Sequence, residues 1–379
     1  LCYLALANLQ VLRFRQRCQG LGSTDWPAIT VLKPLCGDEP GLYERLRSFC
    51  QQNYPVFQLI FGVCDAADPA VKLVRRLQDE FPRLDLQLVV DARIHGANRK
   101  VSNLINMMAY CRHDLLLLAD SDVYADENCF RRMLAPLADP KVDAAISLYR
   151  GVPGPGLAAR FGALYINDWF IPSALVDVAL NGPDGWYGPL TAVRRSALEA
   201  VGGFVGVRDV LAEDNRLGRL IRRRGGGLVL VDYAVPTAVT DTGFLSLLRH
   251  ELRWSRTVRA CRARDHLLSL VTFPLPLLLL LLALLPSALT AALVGVHLLG
   301  RLALHLGVRS RCGSPLAFWM LPAREFLCFF IWLMTPFGKG VTWRGRRFLL
   351  RADGRLEAEP ELPINALFGA AVDSLEGAE

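Results

Sequence analysis

The feature that most limits what this chain can become is a leucine-rich stretch at residues 267–285 that carries no charged side chain. At a rise of about 1.5 Å per residue, a helix of that length reaches roughly 30 Å, the thickness of a bilayer's hydrocarbon core. Pro286 and Ser287 form a tight turn after it, and a second apolar run covers residues 288–306. A third run, residues 316–335, is interrupted by Pro322, Arg324 and Glu325. Ionisable residues at membrane depth face a cavity, pair together or mark an interfacial segment, and an Arg324–Glu325 pair at the interface is expected here. An N-terminal span followed by three full spans would strand the basic stretch 344–351 outside, against the positive-inside tendency, so one run is expected to be re-entrant or to lie flat. Residues 1–12 are apolar but too short to cross, and read as the end of a helix truncated upstream. A cleaved signal peptide fits less well, because Arg13, Arg15 and Arg17 follow the apolar run instead of preceding it.

Between these ends the chain is different in kind. At 52% hydrophobic and 21% charged, with mean hydropathy +0.28, its 379 residues are too apolar for an ordinary soluble enzyme and too polar for a transporter built wholly of spans. The expected division is a cytosolic domain at 13–265 with an interfacial helix near 246–262, membrane helices at 266–336, and a basic then acidic cytosolic tail at 337–379. The net charge of +7 lies beside the spans, where positive residues meet anionic lipid heads on the cytoplasmic side. No recognition motif accompanies it, so nucleic acid is not an expected partner. Ten cysteines, Cys18 among them, are scattered without a C-x-x-C pair or clustered histidines, which reads as reduced structural thiols facing the cytosol.

Within the polar part, strand and helix patterns alternate. Residues 28–32 read as a strand, 41–52 as a helix, Phe57–Val63 as a strand, Ala70–Glu80 as a helix, 86–90 as a strand, 100–111 as a helix and 114–119 as an unbroken apolar strand. This is an α/β, doubly wound layout with a mostly parallel sheet, and in such sheets ligands bind beyond the carboxyl ends of the strands. Those ends are acidic. The strand Phe57–Val63 runs into Asp65 and Asp68, and strand 114–119 into Asp120-Ser121-Asp122. A D-x-D after a buried strand sets two carboxylates at the sheet edge, where hard oxygens hold Mg²⁺ or Mn²⁺ and the metal bridges a diphosphate. Taken alone, such a triplet is as easily a turn or a helix cap. Glu213-Asp214 opens a helix-like stretch at 216–224, and is either a cap or a general base. His250-Glu251-Leu252-Arg253-Trp254 joins a phosphate-gripping Arg to an interfacial or stacking Trp, and also fits an amphipathic helix on the bilayer surface.

Taken in order, Asp65, Asp120-Ser121-Asp122, Ala212-Glu213-Asp214 and His250-x-x-Arg253-Trp254 resemble the D, D, D, (Q/R)-x-x-R-W series of inverting family 2-type glycosyltransferases with a GT-A fold. Leu32-Lys33-Pro34-Leu35, the run Gly96 to Asn103 and Trp343-Arg344-x-x-Arg347 resemble the ceramide glucosyltransferase family and its bacterial relatives in hopanoid lipid synthesis. Residues 165–172 and His250 to Trp254 look more like the hopanoid branch.

The resemblance implies that Asp65 contacts the uridine of a UDP-sugar, that Asp120 and Asp122 serve a divalent metal and the diphosphate, and that Asp214 is the catalytic base. Arg253 and Trp254 would close the donor and acceptor site, with His250 on the acceptor side. His250 stands where the pattern has Gln or Arg, which weakens the case for a phosphate contact there. Lys100 and Asn103, three residues apart on a helix, are expected to reach the donor together. The expected reaction moves one sugar from a UDP-sugar to the hydroxyl of a membrane lipid, hopanoid or ceramide, at a bacterial inner membrane. The alternatives are a processive polysaccharide synthase and a catalytically silent lipid-binding protein of the same fold.

Overall fold

The computed structural model describes residues 1–15, 26–338, 340–343 and 346–358. Arg17, Cys18, Arg344 and the acidic end of the tail, residues 359–379, lie outside the described residues.

Seven strands, β1 (Ile29–Pro34), β2 (Phe57–Val63), β3 (Asp85–Val90), β4 (Leu115–Ala119), β5 (Val142–Pro153), β6 (Leu190–Arg194) and β7 (Gly227–Val239), make one sheet in the order β3-β2-β1-β4-β6-β5-β7. From β3 to β4 every pairing is parallel. β6 runs against both β4 and β5, while β5 and β7 are parallel again. Every residue of β1 and β2 is buried, as expected for strands covered by helices on both faces. The polar groups that this burial traps are satisfied internally. Thr30 donates to Gln58 Oε1 (2.9 Å), and Gln58 donates to the Tyr110 carbonyl (3.0 Å).

Helices form the other half. Cys2–Arg13 packs Leu4, Ala7 and Val11 against Leu304 and Val308 of the helix Ala288–Cys312. A continuous helix at Leu157–Asn181, with a π-helical turn at Ile166–Phe170, is apolar and long enough to cross a membrane (mean hydropathy 1.2), as is Ala288–Cys312 (1.6). The first of these two was not expected. At the π turn, Asn167 makes both amide bonds to the backbone of Gly151 in β5, 2.9 and 3.0 Å, fastening this helix to the sheet.

Two expectations for the membrane region need correction. Residues 267–285 do not form one straight helix: Ala263–Thr272 and Leu275–Leu284 meet at 57°. Pro274 and Pro276 sit at the break, where a proline removes a helical donor and clashes with the preceding turn. Nor do Arg324 and Glu325 pair with each other at an interface. Neighbours on a helix project about 100° apart, and each reaches a different partner inside the bundle. Arg324 Nη2 donates to Glu251 Oε2 at 2.5 Å, while Glu325 lies 3.2 Å from Arg301 and 3.0 Å from His297. All of these side chains are at most 3% exposed.

Beyond the helices, the described residues 340–343 and 346–358 are folded. β8 (Gly340–Trp343), β9 (Arg346–Leu350) and β10 (Leu356–Ala358) form an antiparallel sheet. It docks on the loop before Glu213: Leu211 donates to the Gly354 carbonyl (3.0 Å) and Leu356 to that of Asp209 (2.8 Å). The basic part expected as a tail is thus a brace on that loop.

Candidate active site

Asp120 follows the last residue of β4, and its backbone is pinned from several sides. Its N–H donates to the Pro189 carbonyl (2.9 Å), and its carbonyl accepts from Lys33 Nζ (2.5 Å). Arg45 Nε donates to the Ser121 carbonyl (3.1 Å), and Ala238 N–H to that of Asp122 (3.0 Å). A D-x-D turn held this way aims its carboxylates without using them up. Lys33 itself is fully buried beside the Phe49 ring (3.9 Å), and burial pulls its ammonium down to about 7. Nothing in residue spacing marked it for this place under the turn.

Opposite, the helix Arg99–Met108 begins at Asn98, whose side chain caps it by accepting from Val101 N–H (3.1 Å). The same Asn98 amide donates to the Val210 carbonyl (2.8 Å) and to Glu213 Oε2 (3.1 Å). Gly96 is needed just upstream, because a Cβ there would sit 2.6 Å from the Arg208 carbonyl. Lys100, in the first helical turn, then lies 2.6 Å from Asp120 Oδ1 and 2.8 Å from Glu213 Oε1. Burial opposes its charge, yet Asp120, Glu213 and Asp214 together hold its ammonium above the usual lysine range.

Asp214, beside Glu213 in the first turn of the helix Glu213–Arg223, lines the same cleft as Lys100, Asp120, Pro34, Trp186 and Gly188. Its Oδ1 accepts from Asn215 N–H (2.7 Å), and burial, reinforced by Glu213, pushes its carboxyl up to about 7. A carboxylate poised near neutrality, with an oxygen left for a substrate proton, suits a general base. Glu213 shares Lys100 with Asp120, a role that its position next to Asp214 did not reveal. Trp186 and Gly188 come from an irregular loop before β6 and carried no sequence signal.

Asp122 is the open group of the set. Its Oδ1 is buried without a hydrogen-bond partner, and burial, then the charge of Asp120, raises its carboxyl to about 7. Such an oxygen suits a cation. Among the described residues no three or more His, Cys, Asp or Glu side chains are arranged to hold a metal ion by themselves, which leaves Asp122 and Asp120 as the donors. That donor set fits Mg²⁺ or Mn²⁺ held by one or two carboxylates and completed by substrate phosphates and water.

The other expected residues divide. Asp65 lies past β2, two strands from β4, exposed, with Oδ1 accepting from Ala67 N–H (2.9 Å). Asn103 does not join Lys100 in the cleft: it is buried and donates to the Gly62 carbonyl of β2 (2.7 Å). Three residues along a helix is about 60° short of a full turn, enough to direct Lys100 to the cleft and Asn103 to the sheet. His250, Arg253 and Trp254 ride on the helix Phe244–Cys261. Arg253 lies within the fields of Glu213, Tyr149 and Asp241, and burial lowers its pKa. His250 Nδ1 is 3.3 Å from Asp241 Oδ2 and its ring is 4.2 Å from that of Trp254, so its acid partner is already supplied. Trp254 stacks on Tyr165, with ring centroids 6.2 Å apart at 26°.

Known proteins share both the sequence and the architecture. Ceramide glucosyltransferase 1 of Caenorhabditis elegans is 22% identical over 364 residues, taking in 87% of this chain and 73% of that protein. Ceramide glucosyltransferase 3 of the same species is 23% identical over 233 residues, 60% of this chain and 50% of that one. The ceramide glucosyltransferase of Candida albicans is 28% identical over 124 residues, 30% of this chain and 23% of that one. Among solved structures, a mannosyltransferase from Pyrobaculum calidifontis in complex with GDP-Man and Mn²⁺ superposes with TM-score 0.56 and 19% identity, covering 88% of this chain and 96% of its own. That likeness identifies the α/β domain as a GT-A fold. The profile of glycosyl transferase family 21 matches residues 1–356, the whole sheet, the cleft and the apolar helices together, and the protein therefore belongs to that family of glycosyltransferases.

Proposed function

We propose that this protein transfers one hexose or N-acetylhexosamine from a UDP-sugar to a hydroxyl of a membrane lipid, a hopanoid such as bacteriohopanetetrol or ceramide, with inversion to a β-glycoside. The observation that carries this reading is the cleft where Asp120, Glu213 and Asp214 converge on Lys100 beyond the carboxyl end of β4. Relatives named as ceramide glucosyltransferases support a lipid acceptor, and two helices long and apolar enough to cross a membrane support a site beside a bilayer.

In this reading the acceptor hydroxyl approaches the anomeric carbon from the side opposite the diphosphate. Asp214 takes the hydroxyl proton as the new C–O bond forms and the bond to the diphosphate oxygen breaks. Asp122, with Asp120, would hold Mg²⁺ or Mn²⁺, which supplies positive charge to the departing diphosphate. Lys100 keeps Asp120 and Glu213 in place, and Arg253 adds its charge on the leaving-group side. Asp65 is assigned to the uridine, while His250 and Trp254 border the acceptor path. The buried free thiols Cys50 and Cys129 and the basic flanks of the apolar helices support a cleft on the cytosolic face of a bacterial inner membrane.

The test is Asp214→Asn. Transfer to lipid is expected to fall by about 10²- to 10⁴-fold while the Kd for the UDP-sugar stays within roughly threefold. Turnover within tenfold of the unaltered protein removes the base assignment.

A further inference from the structure

The helix Phe244–Cys261 carries Arg253 and Trp254, and just past them it is tied by Ser255 Oγ, 2.7 Å from Thr335 Oγ1, and by Arg256, which donates to the Gly340 carbonyl (2.7 Å). Among its described residues two are buried, Leu247 and Glu251, four apart and so on one face. Glu251 is 3% exposed and its carboxylate accepts from Arg324 Nη2 at 2.5 Å; Arg324, in the first turn of the helix Leu321–Met334, is fully buried. Glu251 and Arg253 are two residues apart, about 200° around the helix, so one faces the bundle while the other faces the cleft. Arg324 meets the helix a second time through aromatic rings. Its guanidinium lies 5.0 Å from the Tyr165 centroid, and Tyr165 stacks on Trp254.

Resting on the transferase reading above, we propose that Glu251 and Arg324 are positioning residues: a buried joint between the apolar helix Leu321–Met334 and the helix that presents Arg253 and Trp254 to the cleft. The pair is poorly explained as a device for stability. Arg324 Nε and Nη1 and Glu251 Oε1 are buried without hydrogen-bond partners, so the pair bears desolvation that its own contacts do not fully offset. Well-packed apolar residues commonly replace a buried ion pair at no loss of stability. What they cannot replace is a directional contact that sets the rotation of the helix at Glu251, between its buried Leu247 and the Ser255–Thr335 hydrogen bond. Arg324 enforces that geometry on Trp254 by two routes, through Glu251 on the same helix and through the face of Tyr165.

The experiment uses the full chain in detergent or nanodiscs and compares Glu251→Gln, Arg324→Lys and the double variant Glu251→Leu/Arg324→Met. Hydrogen exchange of residues 244–261 is read against that of β4, and lipid transfer is read separately from UDP-sugar binding. The joint predicts faster exchange in 244–261 with β4 unchanged, in the apolar double variant as well as in Glu251→Gln. It also predicts a loss in kcat on the order of 100-fold, the scale of a misplacement near 1 Å, with UDP-sugar Kd within about threefold. Arg324→Lys, which keeps the charge, is expected to recover part of the kcat. An apolar double variant with unaltered exchange and full kcat overturns the proposal and leaves a purely structural pair. Altered exchange with full kcat overturns the positioning role. If the unaltered protein transfers no sugar, the transferase reading fails, while exchange still decides whether the joint exists.

Discussion

At the mouth of the sheet, Lys100 bridges the carboxylates of Asp120 and Glu213 in the cleft that Asp214 lines, Lys33 donates to the Asp120 carbonyl, and one oxygen of Asp122 is left without a partner. In the helical half, the acids are matched one by one: Glu251 with Arg324, Glu325 with Arg301 and His297, Asp168 with His305. The first arrangement is short of positive charge and open to a cation or a reacting proton. The second is matched in charge, each acid against a buried base, with Glu251 Oε1 and Asp168 Oδ2 left without hydrogen-bond partners. Burying charge therefore serves opposite ends in the two regions, reactivity at the cleft and fixed geometry among the helices, and mutations in them should leave opposite signatures.

The largest expected effect tests the open region. Asp122→Ala should weaken metal-dependent UDP-sugar binding and transfer by about 100-fold or more, since a bound metal is worth several kcal/mol to a departing phosphate. Titration of Mn²⁺ against donor binding measures it. Thermal stability should hold or rise, because the variant removes a buried carboxyl with an unpartnered oxygen. Activity indifferent to a chelator would break the comparison at this end.

The charge-matched region predicts the reverse. Glu325→Ala strands Arg301 and His297 inside the bundle and should lower stability by about 3–5 kcal/mol, read by chemical or thermal unfolding in detergent. Turnover per folded molecule should change far less than in Asp122→Ala. An equal loss in both quantities would show that the two regions are not separate.

A smaller, graded effect comes from pH. The Asp214 carboxyl is pushed up to about 7 by burial and by Glu213, and a base works only when deprotonated. Thus kcat/KM should rise about tenfold per pH unit below about 7 and level off above it. A profile flat from pH 5 to 8 would assign the proton to another group. The smallest effect is expected at His250, whose acid partner Asp241 is 3.3 Å away and which is therefore not waiting for a phosphate. His250→Gln should alter UDP-sugar KM by less than about threefold, and a tenfold gain would reinstate the phosphate contact.

How much of this was legible in sequence differs between the same two regions. β2 and the helix Ala70–Glu80 run over the residues that their patterns implied, since continuous burial and amphipathic spacing are local properties. The carboxylates were visible for the same reason, each lying just beyond a strand or at a helix start. Their pairings were not, although Lys100 was expected at the donor. Lys33, Lys100 and Glu213 acquire their roles through contacts spanning tens of residues or more, which no local period encodes. Asn103 was misdirected because a spacing of three leaves about 60° of rotation undecided.

The helices were less readable still. The helix Leu157–Asn181 is interrupted in pattern by Asn167 and Asp168, whose partners are Gly151 on β5 and His305, the latter 137 residues away. The run 267–285 had the composition of one span, and its prolines bent it.

The central claim, a single sugar moved onto a lipid hydroxyl, is tested most directly by mass spectrometry of lipids after incubating the purified protein with UDP-glucose, UDP-N-acetylglucosamine or UDP-galactose. Hopanoid and ceramide acceptors are offered side by side. The account predicts one lipid class gaining the mass of one sugar, in a product lost with Asp214→Asn. A ladder of masses, or UDP released with no sugar on any lipid, would contradict it.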